Sequence, residues 1–382
     1  MGPSGMRGFG ALMFCLMAVG ASAADKPVVP GKLTASAPRV IQVGAKRVVV
    51  SLAQAATQAK DGDTLEVDAG DYVADVAVWQ QARLTIRAVG GRARLLAMGA
   101  AAEGKGIWVV RGGNITVEGF DFVGAKVGDK NGAGIRFEKG QLLVKNCVFL
   151  DNENGILTGG DKTAELTIEN SEFGNNGYGD GLSHNLYVGS IAKLTVTGSY
   201  FHHAKVGHLL KSRAVENHIF YNRLTDETGG RASYELEFPN GGLAYVVGNI
   251  IQQGSQTENH TIISFGAEGY AGLRNELYLV GNIIADDLPK GGKFLVVKPG
   301  ERTVRAVNNL LVGKGSLEAG GTGDYRNNIN VDWNVFVQAS RQDYRLAKPA
   351  LKLGKPEDPG SANGVDLRPK REYVHPRQTR SL

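Results

Sequence analysis

The sequence predicts an all-β chain wound as a right-handed parallel β-helix, a solenoid with a short capping helix at its start. Three observations predict it. A short alternating apolar unit recurs eight times along the chain. Glycine, at 53 of 382 residues, is about twice its usual share while proline stands at 12, a composition of many tight turns rather than of disorder. No interior stretch carries a sustained helical stripe, so helical and leucine-rich repeats fit poorly.

The first segment is expected to be removed. Arg7 precedes an apolar run from Phe9 to Gly20 and then Ala21-Ser22-Ala23-Ala24, the charged, apolar and small-residue order of a secretory signal peptide. That run is too short for a permanent membrane anchor. The domain organisation read from the sequence is a signal peptide over 1–24, a β-helix over 25–349 and a basic tail over 350–382. Cys15 falls in the leader, leaving Cys147 without an intramolecular partner, so stability outside the cytoplasm must come from packing. The predicted location is periplasmic or secreted.

Next comes Ser51 to Lys60, a short helix with Ser51 suited to cap it, followed by DGDTLEVDAGDY. The repeats then run as ITVEGFDF (from Ile115), LLVKNCVF, LTIENSEF, LTVTGSYF, AVENHIF, AYVVGNII, LYLVGNII and VRAVNNLL. Their Gly or Asn markers fall at 119, 146, 170, 198, 217, 248, 281 and 308, a spacing of 19 to 33 residues. Apolar residues alternate with polar ones within each unit, the period of a half-buried strand. Asn146, Asn170, Asn217, Asn249, Asn282 and Asn308 suit the bend between strands, where an amide satisfies backbone groups and tolerates unusual dihedrals. A second strand precedes each marker: GIRFE, GILTG, NLYVG, HLLKS, ELEFP, IISFG and FLVVK. Its inward positions are Ile135, Phe137, Ile156, Leu186, Val188, Leu209, Leu236, Phe238, Ile263 and Phe265. Stacking would set the outward ones roughly 4.8 Å apart from coil to coil.

A short helix, GDTL, a strand and a Gly-Asp-Tyr turn resemble the N-terminal cap of pectate-lyase-like β-helix proteins. DYRLAKPA, from Asp343, is similar to their closing segment. The resemblance spans roughly Val48 to Pro349 and implies the fold, which hosts many chemistries.

Lys and Arg total 43 against 38 acidic residues, a surplus of +5 that is no signature of nucleic-acid binding. From Arg341 to Leu382 there are ten basic and five acidic residues, so the surplus sits at the end of the chain. That segment reads either as a solvated, partly disordered tail or as an attractor of polyanions.

Polar residues able to do chemistry concentrate between Asp180 and Asn240, and six of the seven histidines lie between His184 and His260. On three successive coils the outward positions would carry Asn185 and Tyr187, then His208, then Glu235 and Glu237, with Lys211 and Arg213 leaving the middle strand. His184, His203 and Asn240 flank them. β-Elimination at a uronate needs a base for the C5 proton, a cation for the adjacent carboxylate and an acid for the leaving oxygen. Lys, His and Tyr serve as base or acid, and the guanidinium fork of Arg matches a carboxylate. His202-His203 lacks the partner spacing of a zinc site. GAEGYAG and KNGAG are glycine-rich but follow no phosphate-loop pattern.

HLLKSRAVENHIFYNRL, from His208, is similar to the Lys-Ser coil of the alginate and chondroitin-B lyase family. There the Lys serves as base, which implies that role for Lys211. The next coil departs from that pattern. It carries Tyr234-Glu235-Leu236-Glu237 where the family has an Arg, so Arg213 or His208 would cover the missing role.

These readings make the chain a polysaccharide lyase acting on a uronate polymer. Lys211 would be the base, Tyr187 or His208 the acid and Arg213 the carboxylate partner. Asn185, His184, His203, Glu235, Glu237 and Asn240 would bind sugar. Open alternatives are C5-epimerisation, hydrolysis by Glu235 and Glu237 at a spacing of roughly 7 Å, and a non-catalytic binding or export scaffold. No cofactor is required, though Glu235 and Glu237 offer oxygen ligands suited to Ca²⁺. The expected partner is an acidic polysaccharide, with neither nucleic acid nor membrane anchor, and the expected state is a monomer.

Overall fold

The computed structural model describes residues 39–382 except 273, 318–322, 342 and 348–352. The expected leader lies outside the described residues. Ten strands from Ala77–Trp79 to Ser316–Leu317 stack in chain order as one parallel sheet. The remaining coil strands form two further walls. These are one sheet because Thr64–Val73 and Arg83–Leu96 run unbroken through both. The parallel β-helix expected from the repeats is thus the observed architecture.

The start is capped as the sequence implied. Helix Leu52–Gln58 begins at Ser51, whose hydroxyl accepts from the Gln54 N–H at 3.1 Å, and Leu52 and Ala55 are buried in the core. Inside, each coil contributes to continuous ladders. Phe122, Phe149, Phe173 and Phe201 stack with centroids 4.8, 4.6 and 4.7 Å apart. The ten inward positions named above are all buried. Within strand Leu210–Ser212, however, it is Leu210 that stands in register with Leu186 and Leu236, so Leu209 lies just outside the ladder.

One bend repeats on nine coils as a left-handed residue, at Gly119, Asn146, Asn170, Gly198, Tyr221, Gly248, Gly281, Asn308 and Asn327. Glycine and asparagine tolerate that conformation best. Asn217 was expected to take this place. It instead lies within strand Glu216–Phe220, buried and bonded to Ser212 and Ala214, and Tyr221 makes the bend. Beside the bend runs an amide ladder. Asn222, Asn249, Asn282 and Asn309 each donate a side-chain N–H to the side-chain oxygen of the next, the last to Asn328, at 2.8–3.1 Å.

The end of the chain differs from a solvated tail. It does not form a coil, but folds as two antiparallel hairpins, Ser361–Ala362 with Val365–Asp366 and Arg371–Val374 with Gln378–Ser381. Leu367 and Ala362 are buried against Tyr245, Val247, Tyr278 and Val280 on the outside of the solenoid. Apolar residues scattered among the prolines and charges of the segment supply that lateral contact. Beside it lies a cavity of about 820 Å³ lined by Arg223, Arg341, Tyr344, Arg371, Tyr373 and His375 among others.

Candidate active site

On the ten-stranded wall the outward positions form a row in register: Arg136, Leu157, Tyr187, Lys211, Glu237 and Ser264. Tyr187, Lys211 and Glu237 come from strands Leu186–Val188, Leu210–Ser212 and Leu236–Phe238, each only three residues long. A three-residue strand points one side chain outward, so these coils offer one group each and the turns around them supply the rest.

Lys211 is the centre. Its Nζ lies 3.2 Å from Glu237 Oε2 and 3.2 Å from Glu268 Oε1. Glu237 also faces His208, with Oε2 at 2.8 Å from Nε2, and the other ring nitrogen of His208 is 3.1 Å from the Ser233 hydroxyl. With Nε2 donating to the carboxylate, Nδ1 accepts from Ser233. His208 in turn donates its backbone N–H to His184 Nδ1 at 2.9 Å. Arg213 leaves the end of the Lys211 strand and donates through Nε to the Tyr187 oxygen at 3.1 Å. It also grips the Glu268 carboxylate in two places, at 2.7 and 3.0 Å, and reaches the Asn240 side-chain oxygen.

Burial sets the electrostatics. It pushes His208 below the ordinary imidazole range, with the Glu237 carboxylate working in the other direction. His184 goes well below that range, again through burial first. Burial opposes the charge on Glu237, but His208 and Lys211 outweigh it and hold that carboxyl below its usual range. The hydrogen bonds from Arg213, with Lys211 adding to them, bring Glu268 down to about 2 despite some desolvation. The same pairing raises Arg213. The result is a row of alternating charge, Arg213, Glu268, Lys211 and Glu237, ending on an imidazole that burial keeps neutral near pH 7.

Tyr187, His208, Lys211, Arg213, Glu237 and Asn240 are therefore brought together. His184 lies behind them with 2% of its surface exposed, an acceptor for His208 rather than a sugar-facing group.

Three expected site residues are elsewhere. Asn185 is fully buried, joined to Asn176 in a second internal amide ladder. His203 bonds His202 at 2.8 Å and faces the Thr228 carbonyl, with none of the cluster residues among its partners. Glu235 is fully enclosed and lies beside Asp226, because it precedes the strand that begins at Leu236 and period-two alternation does not govern it. Glu235 and Glu237 are thus not a pair on one face, which removes both a shared calcium ion and a two-carboxylate hydrolytic arrangement. Among the described residues no group of three or more His, Cys, Asp or Glu side chains is placed to hold a metal ion.

Glu268 is the member that residue patterns did not reveal. It sits in the GAEGYAG loop, which carries no recognised motif, between Gly266 and Gly269, both left-handed. A Cβ at Gly266 would come within 2.4 Å of the Tyr270 ring, so glycine there lets the loop fold back over the wall. The one available signal is a lone acid between glycines immediately after strand Thr261–Phe265, one coil beyond Glu237.

No protein-family model matches the chain, and no curated protein does. Two solved structures are similar in fold. One is ORF18 of Geobacillus virus E2, with a TM-score of 0.46 and 12% identity over 74% of this chain. This chain spans only 55% of that protein's length. The other is pectate lyase Pel9A, with a TM-score of 0.49 and 12% identity over 87% of this chain and 89% of Pel9A. The stacked parallel strands make the chain a parallel β-helix.

Proposed function

We propose that this chain is a secreted polysaccharide lyase that cleaves a uronate-containing polymer by β-elimination. The observation that carries the reading is the doubly bonded grip of Arg213 on the Glu268 carboxylate, beside Lys211, on an outward wall. A site that already holds a carboxylate between a guanidinium fork and an ammonium has the shape and charge for a uronate.

In this reading the substrate carboxylate replaces Glu268 on Arg213. Charge developing at C5 is then stabilised by the guanidinium, and no metal is required. Lys211 takes the C5 proton. It does so as the free amine, having first released one proton to solvent, and Glu237, 3.2 Å away, steadies the ammonium that then forms. The electrons of the C–H bond form the C4–C5 double bond, and the leaving oxygen receives a proton from Tyr187, whose phenol Arg213 orients. Asn240, bonded to Arg213, fixes the fork in place.

The test is ultraviolet absorbance of the conjugated uronate that elimination creates, measured on a panel of uronate polymers, with Lys211→Ala alongside. Elimination by the native protein and its loss by at least ~100-fold in the variant, at an unchanged thermal midpoint, is the expected result. New reducing ends without absorbance would make the protein a hydrolase. Binding without cleavage would make it a scaffold, a second reading to which the complete pairing of the cluster's charges lends support.

A further inference from the structure

The interior of the solenoid is not wholly apolar behind this wall. Gln253 stands in register with Asp286, and Asp226 occupies the matching place one coil earlier, following Thr225 and donating its N–H to the Gln252 carbonyl at 3.0 Å. All three are buried, as is Glu235, and the Glu235 carboxylate feels Asp226 before any other charge. Asp286 is satisfied by the backbone N–H groups of Leu288 and Gly292, and one oxygen of Asp226 by that of Ala232. Four oxygens are left with no donor: both of Glu235, Oδ1 of Asp226 and Oε1 of Gln253.

Buried polar atoms are almost always partnered, and a buried carboxylate without a donor is costly. A single shared proton would give a donor to one acceptor and leave the others orphaned. A cation bound beside them would give Glu235 and Asp226 a common partner without protonating either. The ligand set is oxygen only, the preference of hard ions, and two carboxylates balance a divalent charge. Six to eight oxygens are usual for calcium, and neighbouring carbonyls or enclosed water would complete the shell.

We propose that the solenoid interior holds one structural calcium ion, bound by Glu235, Asp226 and Gln253 and enclosed as the chain folds. The ion would fasten two consecutive coils behind the candidate site. Glu235 accepts the Leu210 N–H at 3.2 Å and lies two residues from Glu237, so the strands bearing Lys211 and Glu237 share this anchor. The proposal is independent of what the outer wall catalyses.

Elemental analysis and native mass spectrometry of the purified full chain test it directly. A single calcium ion that survives dialysis of the folded protein against chelator is expected. Unfolding and refolding in chelator should lower the thermal midpoint by roughly 5 °C, and refolding with calcium should restore it. Glu235→Gln, which keeps the side chain's shape, should lose the ion. Native protein with no bound divalent ion, and a midpoint indifferent to calcium during refolding, would overturn the proposal without any variant. So would an ion retained unchanged by Glu235→Gln.

Discussion

Glu268→Gln is the most informative perturbation of the outer wall. In the free protein this carboxylate occupies Arg213 in two places and Lys211 in a third. An incoming uronate must displace it. Sheltered hydrogen bonds to charged groups contribute about 1.5–3 kcal/mol and exposed ion pairs about 0–1 kcal/mol. The Glu268 side chain is 45% exposed, so solvent screening places the whole latch nearer the lower range, at about 1–2 kcal/mol. Apparent affinity is reduced by the fraction of protein in the open state, so removing the latch should lower KM for a uronate polymer about 5- to 30-fold while leaving kcat little changed. The gain should shrink with added salt. The pH dependence follows from sign. A carboxyl held down to about 2 keeps its ion pairs at every pH above the ordinary carboxylate range and loses them only as pH falls through that low value. The ratio of KM between native protein and variant should therefore be flat through the neutral range. Steady-state kinetics, with calorimetry on a short uronate oligomer, measure both quantities. A rise in KM would show that Glu268 contacts substrate, and a collapse of kcat at constant KM would show that it takes part in the chemistry. Either result refutes the latch.

Two further outcomes concern the scaffold. Ile168, fully buried between Val144 and Val196 of adjacent coils, should cost about 2–5 kcal/mol when replaced by Ala, read by chemical denaturation. Deleting 353–382 should leave the circular dichroism of the coils intact but uncover Tyr245, Tyr278 and Val280. Light scattering should then report association that the full chain does not show. An unchanged, monodisperse product would mean that the lateral packing contributes nothing.

The coils were legible because their signals are local. Alternation within five residues and a Gly or Asn at the bend can be read along the chain, and seven of the eight markers fall on left-handed positions. The eighth failed at Asn217 because the residue that makes that bend is Tyr221, a type that gives no hint of φ near 57°. Its neighbour Asn222 carries the amide ladder instead. The lateral packing of the C-terminal hairpins was hidden by a composition of charge and proline that usually marks solvated chain.

The site was legible only as a concentration of residue types, and strand length explains why. Neighbouring coils use five residues on this wall, as in Ala133–Phe137, Asn154–Thr158 and Thr261–Phe265, whereas the three central coils use three. Extending the period of two by one step beyond a three-residue strand assigns a face to a residue that is already turning. Asn185 and Glu235 both precede their strands by one residue and are fully buried, whereas Tyr187 and Glu237 lie within their strands, in register with Lys211. Shortening also has a chemical consequence. It draws the turns toward the row, so that His208 and Ser233 enter from one end and Arg213 and Asn240 from the other. Lys211, only 12% exposed, then lies among polar side chains that flank it from both ends. A carboxylate polymer crossing the central coils would meet Lys211 and Arg213 together there, which ties the place of reaction to the place where the strands are shortest.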